Sequence, residues 1–323
     1  MIWLTWRQHR KQALFTLGAL VALAAIMVPT GLAMHTKFDD LGLPACRAAL
    51  GSASMITQTE EVSRCAGLGH QFEQQFGGMV FVAVLFVVLP VLVGVFFGAP
   101  LVAREVEQGT HRLVWTQGVS RLHWALVKFG LVGGITVVLA IVYALGVSWW
   151  FEPLVTASTG RLGYFSFDVQ GVVPIAYTLF ALALGVFAGT YWRKVLPAMG
   201  IALVGFAAIR VAIEVLARPR YLPARTLTFF PDGNQTPNTA SGDWVLSQGV
   251  RNAAGEMVLP NSEIGPCGSG GCGQSEAGAG AYNWLQYQPG DRFWTFQGIE
   301  TGIFAVLTAA LVYFALRRLR TLA

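Results

Sequence analysis

The sequence predicts an all-α polytopic membrane protein with six transmembrane helices, both termini cytoplasmic and a large last external loop. Three observations predict this fold: strong overall hydropathy, six long apolar segments, and an uneven distribution of charge between them. The mean hydropathy is +0.55, and 54% of the 323 residues are hydrophobic while only 12% are charged. A soluble domain of this length does not need so large an apolar excess.

Six apolar segments reach the length of about 20 residues that a membrane-spanning helix requires. They are residues 13–34, 78–102, 129–150, 172–191, 195–217 and 298–316. The first segment is longer than the core of a signal peptide and lacks a small-residue cleavage site, so it is interpreted as a retained helix. An even number of spans places both termini on one side.

The distribution of basic residues indicates which side that is. With the termini inside, the inner segments hold twelve basic and two acidic residues, a net charge of +10. The outer loops then hold nine basic and thirteen acidic residues, a net charge of −4. The positive-inside rule therefore predicts a cytoplasmic loop at 102–124 and external loops at 35–76, 151–171 and 218–297. The last external loop is long enough to form a small domain.

Both ends of the chain are basic. Trp3 and Trp6 lie one helical turn apart and precede Arg7, Arg10 and Lys11, which predicts an amphipathic cytoplasmic helix at 1–12. An ordinary charged flank of the first span explains these residues equally well. At the other end, 298–323 comprises the sixth span and a basic cytoplasmic tail. No basic segment is interleaved with aromatic residues in a soluble stretch, so nucleic acid is not an expected partner.

All four cysteines fall in predicted external loops, where disulfides persist. Cys46 and Cys65 lie in the first loop, and Cys267 and Cys272 lie in the last. Disulfides are favoured over a zinc site, because the Cys267–Cys272 spacing is wide for zinc and no histidine is near. Four cysteines permit three pairings. The short Gly-Ser-Gly-Gly link favours Cys267 with Cys272, which leaves Cys46 with Cys65.

Several catalytic and ligand-binding patterns are missing from the sequence. It has no phosphate-binding Gly-x-x-x-x-Gly-Lys-Ser/Thr loop, no His-Glu-x-x-His and no Gly-x-Ser-x-Gly. We therefore expect no enzyme activity, no catalytic residue, no metal site and no bound cofactor in this chain. Two small-xxx-small patterns, Gly94 to Gly98 and Gly185 to Gly189, mark either close helix contacts or chance matches in apolar spans.

The loop at 102–124 carries the most specific pattern. Its first part reads Arg104-Glu105-Val106-Glu107-Gln108-Gly109-Thr110, and an apolar group follows at Leu113 and Trp115. Glu105 and Glu107 are expected near the start of a short helix, where acidic side chains are favoured by the helix dipole. Trp115 is expected to anchor that helix in a groove of a partner.

Residues 100–128 resemble the loop between the second and third spans in permeases of export-class (type 2) ATP-binding-cassette transporters. In that family a Glu-rich, Gly-Thr-containing segment, a helix, a Ser-Arg turn and a lysine form the element that couples to a separate ATPase. The chain is most similar to actinobacterial members whose external loops carry cysteines. The resemblance implies that Arg104, Glu105, Glu107, Gly109, Thr110, Leu113 and Trp115 contact or position the ATPase.

The resemblance also implies the partners and the location of the chain. The expected partners are a separate ATP-binding-cassette ATPase, a second permease subunit that makes a homodimer or heterodimer, and the lipid bilayer. ATP and Mg belong to the ATPase. The expected location is the bacterial plasma membrane, and the expected role is export of an amphipathic substrate such as a lipid, drug or peptide.

Ionisable residues inside the predicted spans are few. Arg210 and Glu214 lie one turn apart in the fifth span, and Glu300 lies near the start of the sixth. They predict an intramembrane ion pair that links these two spans near the outer surface. A polar patch on the export path is the alternative.

Other functions remain open at the level of sequence. The chain is alternatively a membrane-anchored sensor or scaffold that displays 218–297 without transport, in which case 102–124 is a simple connector. An ion-coupled transporter needs acidic residues at mid-membrane, and Glu214 and Glu300 lie too near the outer face.

Overall fold

The computed structural model describes residues 2–109, 120–157, 160–230, 235–238, 241–262 and 280–321. Most of these residues are helical. The helices are α1 (Ile2–Asp40), α2 (Leu43–Leu50), α3 (Glu60–Phe76), α4 (Val80–Val93), α5 (Ala99–Glu107), α6 (Arg121–Ala157), α7 (Tyr164–Val169), α8 (Val173–Trp192), α9 (Val195–Ala212) and α10 (Phe293–Thr321).

Within the described ranges, six helical stretches are long and apolar enough to cross a membrane, as predicted. They are Gly18–Asp40, Glu60–Glu107, Leu122–Ala157, Val173–Trp192, Val195–Arg220 and Gly290–Arg320. The second stretch is continuous, because a 3₁₀ turn at Gly77–Met79 joins α3 to α4 and a π-helical turn at Gly94–Gly98 joins α4 to α5. Likewise, α1 runs without a break from Ile2. Residues 2–12 therefore continue the helix of the first span, and their position along the cytoplasmic membrane surface stays a prediction.

The described residues of 218–297 form five β-strands, so the expected all-α fold is too narrow. The strands are β2 (Arg225–Phe229), β3 (Gln235–Pro237), β4 (Trp244–Arg251), β5 (Met257–Pro260) and β6 (Tyr282–Gln288). Strands β2, β6, β4 and β5 form an antiparallel sheet in that order. Along β6, residues alternate between half-buried and buried, the period expected of a strand with one face on a core.

A sixth strand, β1 (Met55–Thr57), comes from the first predicted external loop and pairs with β3 in a second, antiparallel sheet. Asn238 reinforces this junction, since its Nδ2 lies 2.8 Å from the carbonyl oxygen of Ala53 and 3.2 Å from those of Leu50 and Gly51. We call α2, α3 and the two sheets the head. The head is thus built jointly from residues of 35–76 and 218–297.

A disulfide joins Cys46 of α2 to Cys65 of α3, with Cα atoms 5.5 Å apart. The bond closes the α2–α3 hairpin. Cys267 and Cys272 lie outside the described residues, so their pairing stays a prediction.

Non-reducing peptide mapping of protein made in its native compartment is expected to recover Cys46 and Cys65 in one linked pair of peptides. Both cysteines lie in the first predicted external loop, where disulfides persist. A free thiol at either position, or a link from Cys46 to the last loop, would contradict this pairing.

Helix α8 occupies the centre of the helical bundle. Of the most apolar 18-residue window of α8, 83% is buried, whereas the corresponding value for the other five stretches is 17–29%. Helices α4, α5, α6, α9 and α10 all contact α8. The remaining spans leave large apolar side chains exposed on their outer faces, which is the surface expected of helices in lipid.

The two small-xxx-small patterns pack directly against each other where the second span crosses α8. A Cβ atom placed on Gly98 would lie 2.6 Å from the carbonyl oxygen of Leu182, and one on Gly185 would lie 2.7 Å from the backbone nitrogen of Ala99. Only hydrogen at these positions permits such close backbone approach. The interpretation of both patterns as helix contacts is confirmed.

The start of α8 is held by a side chain from α10. Gln297 is fully buried, and its Oε1 accepts hydrogen bonds of 2.9 Å from the backbone nitrogens of Val172 and Val173. Its Nε2 donates to the carbonyl oxygens of Phe167 and Gln170, both at 3.1 Å. A buried helix start has unpaired N–H groups, and Gln297 satisfies two of them.

Candidate functional site

We call residues 102–124 the elbow, of which 102–109 and 120–124 are described. These described residues differ from the prediction. Glu105 and Glu107 lie in the last turns of α5, and Gly109 follows them with a φ of +70°. The expectation that the two glutamates begin a short helix is therefore wrong, and so is the helix-dipole argument for them, because a helix C-terminus disfavours negative charge. Arg104 lies in the last turn of α5 and is exposed. Thr110, Leu113 and Trp115 lie outside the described residues.

Glu105 is compensated by a lysine across the elbow. Its Oε1 lies 2.5 Å from Nζ of Lys128 on α6. Both side chains are largely buried, with 15% and 6% exposed respectively. The Lys128 ammonium also lies 5.1 Å from the ring centroid of Trp124. A buried, charge-assisted contact of this kind joins the last turns of α5 to the first turns of α6.

Glu107 is compensated by the start of another helix. Its Oε2 accepts a 3.0 Å hydrogen bond from the backbone nitrogen of Val195, the first residue of α9. The residue before Val195, Lys194, makes no side-chain cap of its own. Glu107 thus supplies both an acceptor and a negative charge where the helix start favours them. The base of the elbow consequently connects three spans through α5, α6 and α9.

A second polar site lies deep among α7, α8, α9 and α10. Nη2 of Arg218 lies 2.7 Å from Oδ1 of Asp168 and 2.8 Å from Oε1 of Glu300, while its Nε lies 2.9 Å from Oε2 of Glu300. Arg210 pairs with the other carboxylate oxygen of Asp168. The hydroxyl of Tyr177 donates to Glu300. We call these five residues the charge cluster.

The contacts in the charge cluster differ from the predicted ion pair. Arg210 pairs with Asp168, and among the described residues no ion pair joins Arg210 to Glu214. The physical reason is orientation: Arg210 is only 5% exposed and points inward, whereas Glu214 is half-buried and lies in a π-helical turn at Ile213–Ala217. Glu300 does join the fifth and sixth spans, but through Arg218.

Two members of the charge cluster, Asp168 and Arg218, were missed because both fall in predicted external loops. The only hint was that Glu300, in an apolar span, had no cation one turn away on its own helix. All four charged members are at least 95% buried. Two arginines and two carboxylates are balanced in charge, as buried ionic groups need to be. Aromatic rings complete the shell, with the Arg210 guanidinium 4.3 Å from the ring of Tyr177 and that of Arg218 4.4 Å from the ring of Phe167.

The charge cluster is suited to holding helices together rather than to chemistry. Its hydroxyl and carboxylates are engaged with each other and with the arginines. Within the described ranges, no three His, Cys, Asp or Glu side chains are grouped as a metal site. The cluster therefore fixes α7, α8 and α10 to the end of the fifth span.

Six apolar helical stretches of the described residues, with α8 at their centre and a charged elbow between the second and third, define a multi-pass membrane protein. The chain belongs to the family described as "ABC-2 membrane transporter related", whose pattern matches residues 17–218. This match confirms the resemblance seen at the elbow. The family supplies the transmembrane component of ATP-binding-cassette transporters and partners with an ATP-binding subunit. No curated protein and no solved structure significantly matches the chain.

Proposed function

We propose that this chain is the transmembrane subunit of an exporter in the bacterial plasma membrane. A separate ATPase, which holds ATP and Mg, docks on the elbow at 102–124 on the cytoplasmic side. Closure of the ATPase pair moves the elbow, and the movement opens an outward path between this chain and a second permease subunit. An amphipathic substrate leaves by that path.

The observation that carries the proposal is the anchoring of the elbow base. Glu105 contacts Lys128 at 2.5 Å, and Glu107 contacts the Val195 amide at 3.0 Å. A force applied to the elbow is therefore transmitted to α5, α6 and α9 together. A simple connector between two spans does not require either contact.

The proposed orientation is supported by the position of the disulfide. Arg47, next to Cys46, donates a 2.7 Å hydrogen bond to the carbonyl oxygen of Thr156, near the end of α6. Lys128 lies near the start of α6, roughly 42 Å away at about 1.5 Å per residue. That distance exceeds the hydrocarbon thickness of about 30 Å. With the elbow in the cytoplasm, the disulfide faces the exterior, where it is stable.

Coupling is tested by Glu105→Gln and Lys128→Met, alone and combined. Each single variant should assemble with the ATPase but lose most substrate-stimulated hydrolysis and export, because the contact between α5 and α6 is broken. The double variant should lose little more than either single one, since both remove the same contact. The measurements are co-purification of the ATPase recovered from native membranes, followed by hydrolysis and export in lipid vesicles.

Glu61→Gln is the matched control, because Glu61 is an exposed carboxylate in the first turn of α3.

Trp115→Ala should instead weaken association with the ATPase, by about 2 kcal/mol if Trp115 is an aromatic anchor. Normal coupling in both Glu105→Gln and Lys128→Met would show that the elbow only connects two spans and does not couple to the ATPase. Failure of any ATPase to co-purify with the unmodified chain would favour the sensor or scaffold function.

A further inference from the structure

The head contains a cavity of about 570 Å³ between the α2–α3 hairpin and the β-sheets. The lining includes residues of α2 and α3, among them both cysteines of the disulfide, and residues of strands β2, β3, β4 and β6. The volume falls within the range of small-molecule binding sites, about 300–1,000 Å³. The charge cluster and the elbow do not contribute to it.

Most of the cavity surface is apolar. The larger apolar side chains that line it include Phe38, Leu43, Val62, Leu227, Leu285 and Tyr287. Residues from α1, α2, α3 and two strands of the sheet thus converge on one space. A hydrocarbon chain placed there would be removed from water on several sides, which is favourable in proportion to the apolar area covered.

Three charged side chains line the cavity, namely Arg47, Glu73 and Asp243. Glu73 lies 3.6 Å from His70, and Asp243 accepts a 2.8 Å hydrogen bond from the backbone nitrogen of Gly290. Arg47, like Asp243, has a neutral backbone partner, the carbonyl oxygen of Thr156 at 2.7 Å, and no ion pair to Arg47 occurs among the described residues.

A second arginine, Arg161, acts on Arg47 electrostatically. Burial, together with the positive charge of Arg161, lowers the pKa of Arg47 below its usual value. Arg161 already has a carboxylate partner, Glu152, at 3.1 Å. Arg47 thus has no carboxylate partner among the described residues, and an anion placed beside it in the cavity would supply one.

We propose that this cavity binds an amphiphile with a single hydrocarbon chain and an anionic headgroup. The hydrocarbon chain of the amphiphile covers the apolar lining from α3 and the sheet, and the headgroup pairs with Arg47. A carboxylate and a phosphate share the required chemistry, so a fatty acid and a lysophospholipid are the two sources that the experiment distinguishes. Binding at this site does not depend on the ATPase and stands apart from the proposed export function.

The test uses the full chain in lipid nanodiscs of saturated phosphatidylcholine, without ATPase. A fatty acid with a photoreactive diazirine in its chain is added and illuminated, and cross-linked peptides are mapped by mass spectrometry. Labelled peptides are expected from 43–73 and from β2, β4 or β6. Competition with oleate and with oleoyl lysophosphatidylglycerol tells which headgroup is preferred. Oleyl alcohol, which has the same chain but no charge, should compete at least about tenfold more weakly.

Variants separate the two parts of the site. Arg47→Gln should reduce head labelling at least about tenfold, whereas Arg47→Lys, which keeps the charge, should retain most of it. Ala66→Trp fills the space from α3, where Ala66 lines the cavity, and should block labelling without removing a charge. Arg64→Gln is the matched control, since Arg64 is exposed on α3 outside the lining. Thermal unfolding of every variant confirms that it is folded.

Labelling confined to the membrane-spanning helices would overturn the proposal. So would equal competition by oleate and oleyl alcohol, or undiminished head labelling in a folded Ala66→Trp variant. Should Arg47→Gln fail to fold, Ala66→Trp and the comparison of oleate with oleyl alcohol still decide the question.

Discussion

Replacing Arg218 by methionine is expected to lower the free energy of unfolding by about 3–5 kcal/mol, because the substitution leaves buried carboxylates without their cation. Arg218 is fully buried and reaches both Asp168 and Glu300 within 2.9 Å. Methionine fills much of the same volume, so the loss reports on charge rather than on a cavity. The measurement is denaturant unfolding in detergent micelles.

Arg220→Met is the control for this prediction. Arg220 lies two residues away and is exposed, and its side chain donates to the carbonyl oxygen of Leu216. Its replacement should change stability by no more than about 0.5 kcal/mol. Adding Glu300→Gln to Arg218→Met should recover part of the loss, since one uncompensated charge is then removed. Equal stability of Arg218→Met and Arg220→Met would show that the charge cluster does not hold the helices together.

Replacing Gly185 by valine should destabilise the bundle by about 3 kcal/mol or more, at or above the upper end of the usual range for overpacking. A Cβ atom on Gly185 would meet the backbone of Gly94, Gly98 and Ala99 on the second span. Backbone atoms cannot move aside as a flexible side chain does, so the two helices would have to separate. The expected results are a lower unfolding midpoint and a poor yield of folded protein.

Gly134→Val on α6 is the matched control. A Cβ atom on Gly134 has no neighbouring atom within 4 Å, and the position is exposed on its helix. The same β-branched side chain is therefore introduced into an apolar span without a clash. If both variants unfold alike, the crossing of the second span and α8 is not the tight contact that its geometry indicates.

The six spans were predictable from the sequence because each depends on its own composition. The cost of placing a segment in hydrocarbon is a sum over the residues of that segment, and neighbouring segments change it little. The small-xxx-small patterns and the family resemblance at the elbow likewise depend only on residues within one short segment. The elbow residues were predicted from a local pattern of the same kind, and their role in coupling stays a proposal. Glu105 and Glu107 lie at the end of α5 and not at the start of a helix.

The partners of the charged side chains were decided only by the tertiary structure. Arg218 meets Glu300 across 82 positions of the chain, and Glu107 meets Val195 across 88. The sequence suggests Glu214 for Arg210 because it lies one turn away, yet Arg210 faces the buried Asp168. A buried cation is paired with whichever carboxylate the packing brings to it, and helical spacing does not contain that information.

The structure of the head also depends partly on local sequence and partly on contacts between distant segments. Alternating burial along β6 is a local property that favours a strand, but the pairing of β1 with β3 joins loops separated by four of the predicted spans. The cavity beside Arg47 is likewise lined by residues from both of these loops. Composition along the chain determined which segments are apolar enough to lie in lipid, whereas contacts between distant segments determined which polar groups are buried together.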